Sequence, residues 1–332
     1  MQECFAGLNV RMSSESHSNE LACAVKDAKV AILMCTYNGS SFLTDQIRSF
    51  EDQTYRNWIL YISDDGSKDG TLDLLRESTK QWQTGLIQTF NGPRRGFAAN
   101  FLFLTCHADI EADFYAWSDQ DDIWREEKLQ KALDWLGKVP SHIPAIYCGR
   151  TKLIGASGDV CGFSPEFGLP PHFCNALVQN IAGGNTMVFN QAARILLQEA
   201  GDNLVVPSHD WWAYQLISGA GGSVFYDPEP MVLYRQHDGN LVGSNSSFFA
   251  RLKRMCMVLK GSFCEWNDQN IQALEALEHR LTKESKYTLA CFKSARKQRF
   301  FLRFFMMRQA RLYRQTLYGN LGLIFAILLN RV

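Results

Sequence analysis

Short apolar runs alternate with helix-patterned segments in the first third of the chain, and this alternation constrains the fold more than any other feature. Buried strands are predicted at residues 30–35, 58–63, 86–89 and 114–117. The segments between them carry helical patterns at 41–52, 71–80 and 97–107. Strands that alternate with helices favour a parallel sheet covered on both faces. The sequence therefore predicts an α/β fold with a doubly wound, mostly parallel sheet.

The rest of the chain is predicted to be less regular before it becomes helical. Helices are expected at 125–137 and 190–200, mixed strands and Gly/Pro-rich loops at 145–190, an aromatic segment at 209–217 and a strand near 223–226. Beyond Ser244 the pattern is helical and basic. We therefore expect three regions: a flexible leader at 1–28, an α/β domain at 29–245 and a basic amphipathic helical tail at 246–332. Within the leader, Met12 is an alternative start.

Charge is divided unequally between the body and the tail, although 34 basic and 34 acidic residues cancel over the whole chain. Residues 248–332 hold 16 Lys/Arg and 5 Asp/Glu, whereas residues 1–247 hold 18 and 29. An acidic body argues against nucleic acid as a partner. A basic, apolar tail fits an anionic membrane surface, and a helical bundle whose polar face is basic is the alternative.

Localisation is predicted from apolar runs and cysteine spacing. The longest uninterrupted apolar run, from Leu321 to Leu329, has nine residues, fewer than the roughly 18 needed to span a bilayer. Polar residues interrupt the N-terminal segment, so it does not resemble a signal peptide. None of the ten cysteines forms a Cys-x-x-Cys pair, which argues against zinc ribbons and redox dithiols. We expect a cytoplasmic protein, peripheral at the inner face of the cell membrane.

Polar clusters follow three of the predicted strands directly. They are Thr36-Tyr-Asn-Gly39, Asp64-Asp-Gly-Ser-Lys-Asp-Gly70 and Ser118-Asp-Gln-Asp-Asp122. The carboxyl ends of parallel strands meet at one edge of the sheet, where ligands bind in open α/β folds. Asp119 and Asp121 are separated by one residue and can direct oxygens at one ion, or at an ion and a ribose. Mg²⁺ and Mn²⁺ prefer such oxygen ligands. The alternative is that these aspartates only form a solvated turn or cap a helix.

Taken together, the motifs are specific to one family. They are Met34-Cys-Thr-Tyr-Asn-Gly39, Ser63-Asp-Asp-Gly-Ser-Lys-Asp-Gly-Thr71, Trp117-Ser-Asp-Gln-Asp-Asp-Ile-Trp124, His209-Asp-Trp-Trp212 and Tyr234-Arg-Gln-His-Asp-Gly-Asn240. Over about residues 29–245 the chain resembles family 2 glycosyltransferases of the GT-A fold. The resemblance is strongest to rhamnosyltransferase-like members that build bacterial surface polysaccharides. It implies an inverting, metal-assisted transfer of a sugar from a nucleotide donor to a hydroxyl of a glycan, expected to be lipid-linked.

The resemblance also implies roles on the donor side. Cys35 and Tyr37 are expected to line the nucleotide base, and Asp65 to accept a hydrogen bond from N3–H of uracil or thymine, so that UDP- and dTDP-sugars both fit. Asp119 is expected near the ribose, and Asp121 at a Mn²⁺ or Mg²⁺ ion that bridges the phosphates. The later motif adds two residues near the pyrophosphate: Arg235, and His237 as a third metal ligand or phosphate contact.

The acceptor side is predicted from the His209-Asp-Trp-Trp212 motif. An inverting transfer needs a base within reach of the attacking hydroxyl, and Asp210 is the candidate, with His209 as the competing base. Trp211 and Trp212 are expected to limit water and to offer ring faces to a sugar. By resemblance, Gly184 and Asn185 face the donor sugar and the acceptor.

Two alternatives compete with a glycosyltransferase. A nucleotidyltransferase of similar fold normally has an early Gly-rich phosphate loop, yet residues 30–45 contain only Gly39. A catalytically inactive sugar-binding or scaffold protein predicts loss of the base or of a metal ligand. Asp119, Asp121 and Asp210 are all present. Both alternatives are therefore less favoured than an active glycosyltransferase.

Overall fold

A nine-stranded mixed sheet forms the centre of the computed structural model, which describes residues 27–80, 82, 85–237 and 262–332. The strands are β1 (Val30–Thr36), β2 (Trp58–Asp64), β3 (Ile87–Asn91), β4 (Phe114–Ser118), β5 (Ile123–Trp124), β6 (Ala145–Gly155), β7 (Val160–Phe163), β8 (Val188–Asn190) and β9 (Ser223–Gln236). Their spatial order is β3-β2-β1-β4-β8-β6-β9-β5, and β7 pairs with β6 off this path.

Helices cover the sheet and form most of the described tail. In the first 237 residues they are α1 (Leu43–Glu51), α2 (Thr71–Ser78), α3 (Phe97–Cys106), α4 (Lys128–Leu136), α5 (Phe173–Ala176), α6 (Gln191–Ala200) and α7 (His209–Gly219). The tail contains α8 (Ser262–Ala276), α9 (Lys283–Arg296), α10 (Phe300–Gln309) and α11 (Leu317–Leu328).

The first four strands confirm the predicted parallel unit. β1 pairs in parallel with β2 and β4, and β2 pairs in parallel with β3. Cys35 lies opposite Ser63, and Met34 lies opposite Ser118, so the three motif-bearing strands end at one edge. The second half is mixed, because β8 runs antiparallel to β4 and β6, and β5 runs antiparallel to β9.

Strand β1 shows why the sheet is buried on both faces. Ala31, Leu33 and Cys35 pack into one hydrophobic cluster, and Val30, Ile32 and Met34 pack into the other. Side chains alternate across a strand, so a continuous apolar run supplies both faces at once. The helices that cover these faces therefore leave the carboxyl edge of the sheet as the place for polar loops.

Strand β9 is longer than predicted from the sequence. It continues from the expected strand near residue 223 to Gln236. Pro228 and Pro230 lie where its pairing with β6 shifts register, between Gly149 and Thr151. Proline lacks an amide donor and is tolerated at such irregularities. The strand therefore carries the Tyr234-Arg-Gln segment back to the sheet edge.

The described part of the tail packs on the α/β part. Leu277, Leu289 and Phe292 belong to the same hydrophobic cluster as Trp117 and Trp212. Nearly all of the predicted leader, and the predicted boundary at 245/246, lie outside the described residues. Within the part of the chain that the structure describes, none of the helices has the length and apolar character needed to cross a bilayer.

Candidate active site

Three carboxylates cluster directly after β4. Asp119, Asp121 and Asp122 each offer an oxygen, and these atoms all lie within 4.8 Å of one another. Burial raises the pKa of Asp122 to about 8, and the charge of Asp121 adds to the effect. Burial also raises the pKa of Asp119 well above its ordinary value, followed in effect by the charges of Asp122, Asp121 and Asp210. Crowded oxygen ligands of this kind fit the predicted Mn²⁺ or Mg²⁺.

Asp122 belongs to the same acidic cluster but was not among the metal ligands predicted from the sequence. Its Oδ2 accepts a hydrogen bond from Nδ2 of Asn185 at 2.5 Å, and its Oδ1 accepts one from the backbone amide of Arg235 at 3.1 Å. Asp122 is buried and is fixed from two distant segments of the chain. The adjacent carboxylates Asp121 and Asp122 were a signal in the sequence for a further metal ligand. The contact between Asn185 and Asp122 was not visible in the sequence, because it depends on the fold.

His237 lies beside Asp121 at the end of β9. Its Nε2 and Oδ2 of Asp121 are 2.8 Å apart, and its ring lies 4.9 Å from that of Phe42 between centroids. Carboxylate oxygen and imidazole nitrogen both bind divalent cations. The structure therefore brings together the two predicted metal ligands, which are 116 residues apart in the chain.

Arg235 occupies a different position from the one predicted. Its guanidinium donates to Oδ2 of Asp45 at 2.8 Å and to the carbonyls of Asp121 and Ala156 at 3.0 and 3.1 Å. It also lies 4.6 Å from the ring centroid of Phe42. Because the side chain is only 3% exposed, it faces protein rather than an open pyrophosphate site. Arg235 therefore supports the loop that carries the carboxylates.

The two aspartates after β2 have different partners. Asp64 is buried and accepts hydrogen bonds from the Thr36 hydroxyl and the Ser67 amide, both at 2.8 Å, so it shapes the loop. Asp65 is half-buried and accepts from the amides of Arg94 and Gly96 at 2.5 and 3.0 Å. A carboxylate has more acceptor positions than these two amides use. Asp65 can therefore still read an N–H on a base.

Cys35 is the second-last residue of β1, and Tyr37 is the first residue after that strand. Burial raises the pKa of the Cys35 thiol, and the negative charges of Asp119 and Asp65 add to it, so Cys35 lies near both predicted nucleotide contacts. The Tyr37 side chain is exposed, while its backbone amide and carbonyl bond the Gln120 side chain at 2.9 and 3.0 Å. Gln120 thus ties this turn to the carboxylate loop and leaves the Tyr37 ring available for stacking.

Asp210 lies in the first turn of α7 and faces the same region. Its Oδ2 accepts from the Gly184 amide at 3.1 Å, and its Oδ1 accepts from the Trp211 amide at 2.6 Å. Its charge is one of the causes that raise the pKa of Asp119. The short 3₁₀ turn Gly184–Thr186 therefore contacts Asp210 with one residue and Asp122 with the next. Acids that are far apart in the chain converge here.

His209 is buried and sits behind Asp210. Its ring stacks on Phe101 with centroids 4.0 Å apart, and it meets Trp117 edge-on at 4.7 Å. Burial lowers the pKa of His209 to about 4. Only 3% of His209 is exposed, so its ring is out of reach of an acceptor hydroxyl, whereas Asp210 is half-buried. Between the two candidates, the structure favours Asp210.

The two tryptophans of the motif belong to the core. Trp212 has no exposed surface, and Trp211 is 6% exposed, with its indole N–H donating to the Ala176 carbonyl at 2.6 Å. The prediction that they offer exposed ring faces to a sugar is therefore wrong. Their bulk instead excludes water from the protein side of α7, on which Asp210 is carried.

Comparisons with known proteins agree with this arrangement. The family model described as Glycosyl transferase family 2 matches residues 31–196. The chain is 30% identical over 234 residues to the dTDP-rhamnosyl transferase RfbG of Shigella flexneri, covering 68% of this chain and 78% of that protein. It is 31% identical over 110 residues to the putative glycosyltransferase EpsE of Bacillus subtilis, covering 33% of this chain and 39% of EpsE.

A solved structure shows the same fold at low identity. The mannosyltransferase PcManGT from Pyrobaculum calidifontis, in complex with GDP-Man and Mn²⁺, superposes with a TM-score of 0.50 at 16% identity. The match covers 92% of this chain and 86% of that one. The predicted GT-A architecture, with its helical C-terminal region, is confirmed.

Proposed function

The chain belongs to glycosyltransferase family 2, and on that premise we propose that it is an inverting enzyme that moves a sugar from a UDP- or dTDP-sugar to a hydroxyl of a lipid-linked glycan. The observation that carries this proposal is the convergence of Asp210 with the carboxylates Asp119, Asp121 and Asp122 at one edge of the sheet. Sugar transfer needs the metal-binding carboxylates, which act on the donor, to lie beside the base, which acts on the acceptor. The relative from Shigella flexneri is named as a dTDP-rhamnosyl transferase, which favours a dTDP-sugar.

We assign the donor to the edge formed by β1, β2 and β4. Asp65 would accept from N3–H of the pyrimidine, Tyr37 would stack on the ring, and Cys35 would line the pocket. Asp119 would bind the ribose. A pocket that reads N3–H accepts uracil and thymine alike, because both present that donor, and it rejects purines. The half-buried state of Asp65 and the exposed Tyr37 ring support this assignment.

Asp121, Asp122 and His237 would hold the divalent cation. Oxygens of Asp121 and Asp122 lie within 4.8 Å of each other, and Nε2 of His237 lies 2.8 Å from Oδ2 of Asp121, which supports a cation at this position. When bound, Mn²⁺ or Mg²⁺ stabilises the charge that develops on the phosphate oxygens of the departing nucleoside diphosphate. Asn185 and the Arg235 backbone amide keep Asp122 oriented for that task.

Asp210 would act as the general base. The acceptor hydroxyl loses its proton to Asp210 as its oxygen attacks the anomeric carbon, and the bond from that carbon to the phosphate oxygen breaks. The hydrogen bond from Gly184 holds the Asp210 carboxylate at the cleft edge. Gly184 and Asn185 would lie beside the reacting sugar.

We place the reaction in bacterial surface polysaccharide synthesis, at the inner face of the cell membrane. Its test is a donor screen that measures release of UDP or dTDP from a panel of nucleotide sugars, with Mn²⁺ or Mg²⁺ and a lipid-linked glycan acceptor. We expect release from at least one UDP- or dTDP-sugar. Asp121→Ala should abolish metal-dependent donor binding, whereas Asp109→Ala, at an exposed acid elsewhere, should not. Release from purine nucleotide sugars alone would refute the donor assignment.

A further inference from the structure

Helices α10 and α11 expose a concentrated apolar surface. Of the nineteen large hydrophobic side chains that are exposed among the described residues, eleven lie between residues 301 and 329. Phe301 and Tyr318 are 86% exposed, and Leu317 is 73% exposed. Single exposed apolar residues are ordinary, but a contiguous group marks an interaction site. We name the exposed apolar side chains of residues 301–329 the apolar face.

Helix α11 shows that this face is additional to the one that packs on the protein. Leu323 and Ile327 are buried in the main hydrophobic cluster. Leu317, Leu321 and Ile324 are exposed and follow one another at spacings of four and three residues, which places them on one side of the helix. The helix is therefore apolar on both sides, and only one side is covered by protein in the described structure.

The charge around the apolar face is of one sign. Residues 297–332 contain one lysine and six arginines and no Asp or Glu. Arg308, Arg311 and Arg331 are exposed, next to the apolar side chains. A second copy of this chain would present the same cations to the face and be repelled. An anionic lipid leaflet supplies both the apolar depth and the negative charge that this surface lacks.

We propose that the apolar face, with its flanking arginines, docks into an anionic bilayer leaflet and holds the enzyme at the membrane surface. The length of α11 fits this mode of binding. Its 12 residues extend about 18 Å at 1.5 Å per residue, which is shorter than the roughly 30 Å hydrocarbon core. The helix therefore lies in the interface, with phenylalanine and leucine side chains in the acyl region and arginines at the headgroups.

The link between the two helices is fastened to the α/β part. The Gln315 side chain exchanges two hydrogen bonds of 3.0 Å with the backbone of Leu169, and the Tyr313 hydroxyl donates to the Pro170 carbonyl at 2.8 Å. The Tyr313 carbonyl accepts from Nδ2 of Asn175 at 3.0 Å. These hydrogen bonds therefore connect the apolar face to the α/β part through the link between α10 and α11. Membrane docking would bring the enzyme to the lipid-linked acceptor of the proposed function, but the observation that supports docking is the apolar face alone.

The test is sedimentation of the full chain with vesicles of phosphatidylcholine alone or with one third phosphatidylglycerol. We expect binding to the anionic vesicles that falls as salt is raised. The triple variant Phe305→Ser, Leu317→Ser, Tyr318→Ser and the double variant Arg308→Glu, Arg311→Glu should each lower the partition coefficient by at least about tenfold. Matched controls change exposed residues elsewhere: Val205→Ser with Tyr287→Ser, and Lys80→Glu with Lys138→Glu.

The outcomes separate the membrane from other occupants of the face. Equal binding of the wild type and both tail variants would overturn the proposal. So would a dimer in vesicle-free solution that the serine variant dissociates, because a second copy would then cover the face. Nucleotide release with a water-soluble acceptor, measured on the same variants, should be unchanged. Loss of vesicle binding with normal release supports docking, and absence of release from the wild type would refute only the proposed transfer.

Discussion

The backbone amide of Gly184 donates a hydrogen bond of 3.1 Å to Oδ2 of Asp210. The next residue, Asn185, donates through its side chain to Asp122 at 2.5 Å. Two consecutive residues of one 3₁₀ turn thus bond the proposed base and a proposed metal ligand. The geometry of deprotonation and the geometry of the metal site therefore depend on the same short segment.

Replacing the proposed base tests the first of these contacts. Asp210→Asn keeps a side-chain oxygen that can accept from the Gly184 amide but cannot take up a proton at neutral pH. We expect donor binding to be retained and turnover to fall about a thousandfold. Isothermal titration with nucleoside diphosphate and Mn²⁺, together with nucleotide release, measures the two effects separately. Normal turnover would show that another group is the base.

Removing the Asn185 side chain tests the second contact. Asn185→Ala leaves Oδ2 of Asp122 without its donor, and we expect Mn²⁺ affinity to fall about 10- to 100-fold, as for other residues that orient a metal ligand. Titration calorimetry without nucleotide measures this directly. Asn203→Ala, at an exposed site, is the control. Unchanged Mn²⁺ affinity would mean that Asp122 does not bind the ion.

A methyl group at Gly184 should disturb the turn itself. A Cβ there would lie 2.3 Å from Nε2 of His209, which is held by aromatic rings and cannot move aside. We expect Gly184→Ala to lower the free energy of unfolding by about 1–3 kcal/mol and to lower turnover as well. Gly168→Ala meets no atom within 4 Å and serves as the matched control. Urea denaturation and nucleotide release measure the two quantities. Equal stability of the two variants would contradict this packing.

Burial of His209 predicts a pH dependence of stability. The pKa of His209 is lowered from 6.5 to about 4 in the folded chain, so the unfolded chain binds more protons between these values. Neutral His209 therefore contributes about 3 kcal/mol to the free energy of unfolding above about pH 6.5, and this stabilisation is lost as the pH falls through about 4. His209→Gln should reduce the difference in unfolding free energy between pH 7 and pH 4.5. The same pH slope in variant and wild type would show that His209 titrates normally.

Arg235 should behave as a structural residue in mutagenesis. Lysine keeps the charge but cannot bond Asp45, Asp121 and Ala156 at once. We expect Arg235→Lys to lower the unfolding free energy by about 2 kcal/mol and to weaken Mn²⁺ binding through Asp121. Weaker nucleotide diphosphate binding with unchanged stability and Mn²⁺ affinity would instead support the predicted pyrophosphate contact.

The parallel half of the fold could be predicted because its signals are local. The strands β1, β2 and β4 are apolar runs that end in polar clusters, and each was predicted to within a residue or so of its observed bounds. Strand β9 could not be predicted in full, since Pro228 and Pro230 argue locally against a strand. A register shift against β6 accommodates them, and that depends on a partner far away in the chain.

The same distinction between local signals and distant contacts applies to the candidate active site. Asp119 and Asp121 could be predicted because they follow a strand directly, and Asp210 because it lies in the His209-Asp-Trp-Trp212 motif of the family that the chain resembles. The partners of Asn185 and Arg235 were not visible, because each bonds a residue more than 60 positions away. Burial of Trp211 could not be predicted from the sequence either, since two adjacent aromatic residues are compatible both with a core position and with a sugar-binding surface. Contacts between distant segments, rather than residue types, decide these roles.

The hydrogen bonds from Gln315 and Tyr313 to Leu169 and Pro170 have one further consequence. If the apolar face rests on a leaflet, these bonds fix the height of the catalytic cleft above it. A glycan grows away from its lipid by one sugar at each addition, so its reactive end passes that height once. The enzyme would then select its acceptor by the length of the glycan as well as by the identity of its last sugar.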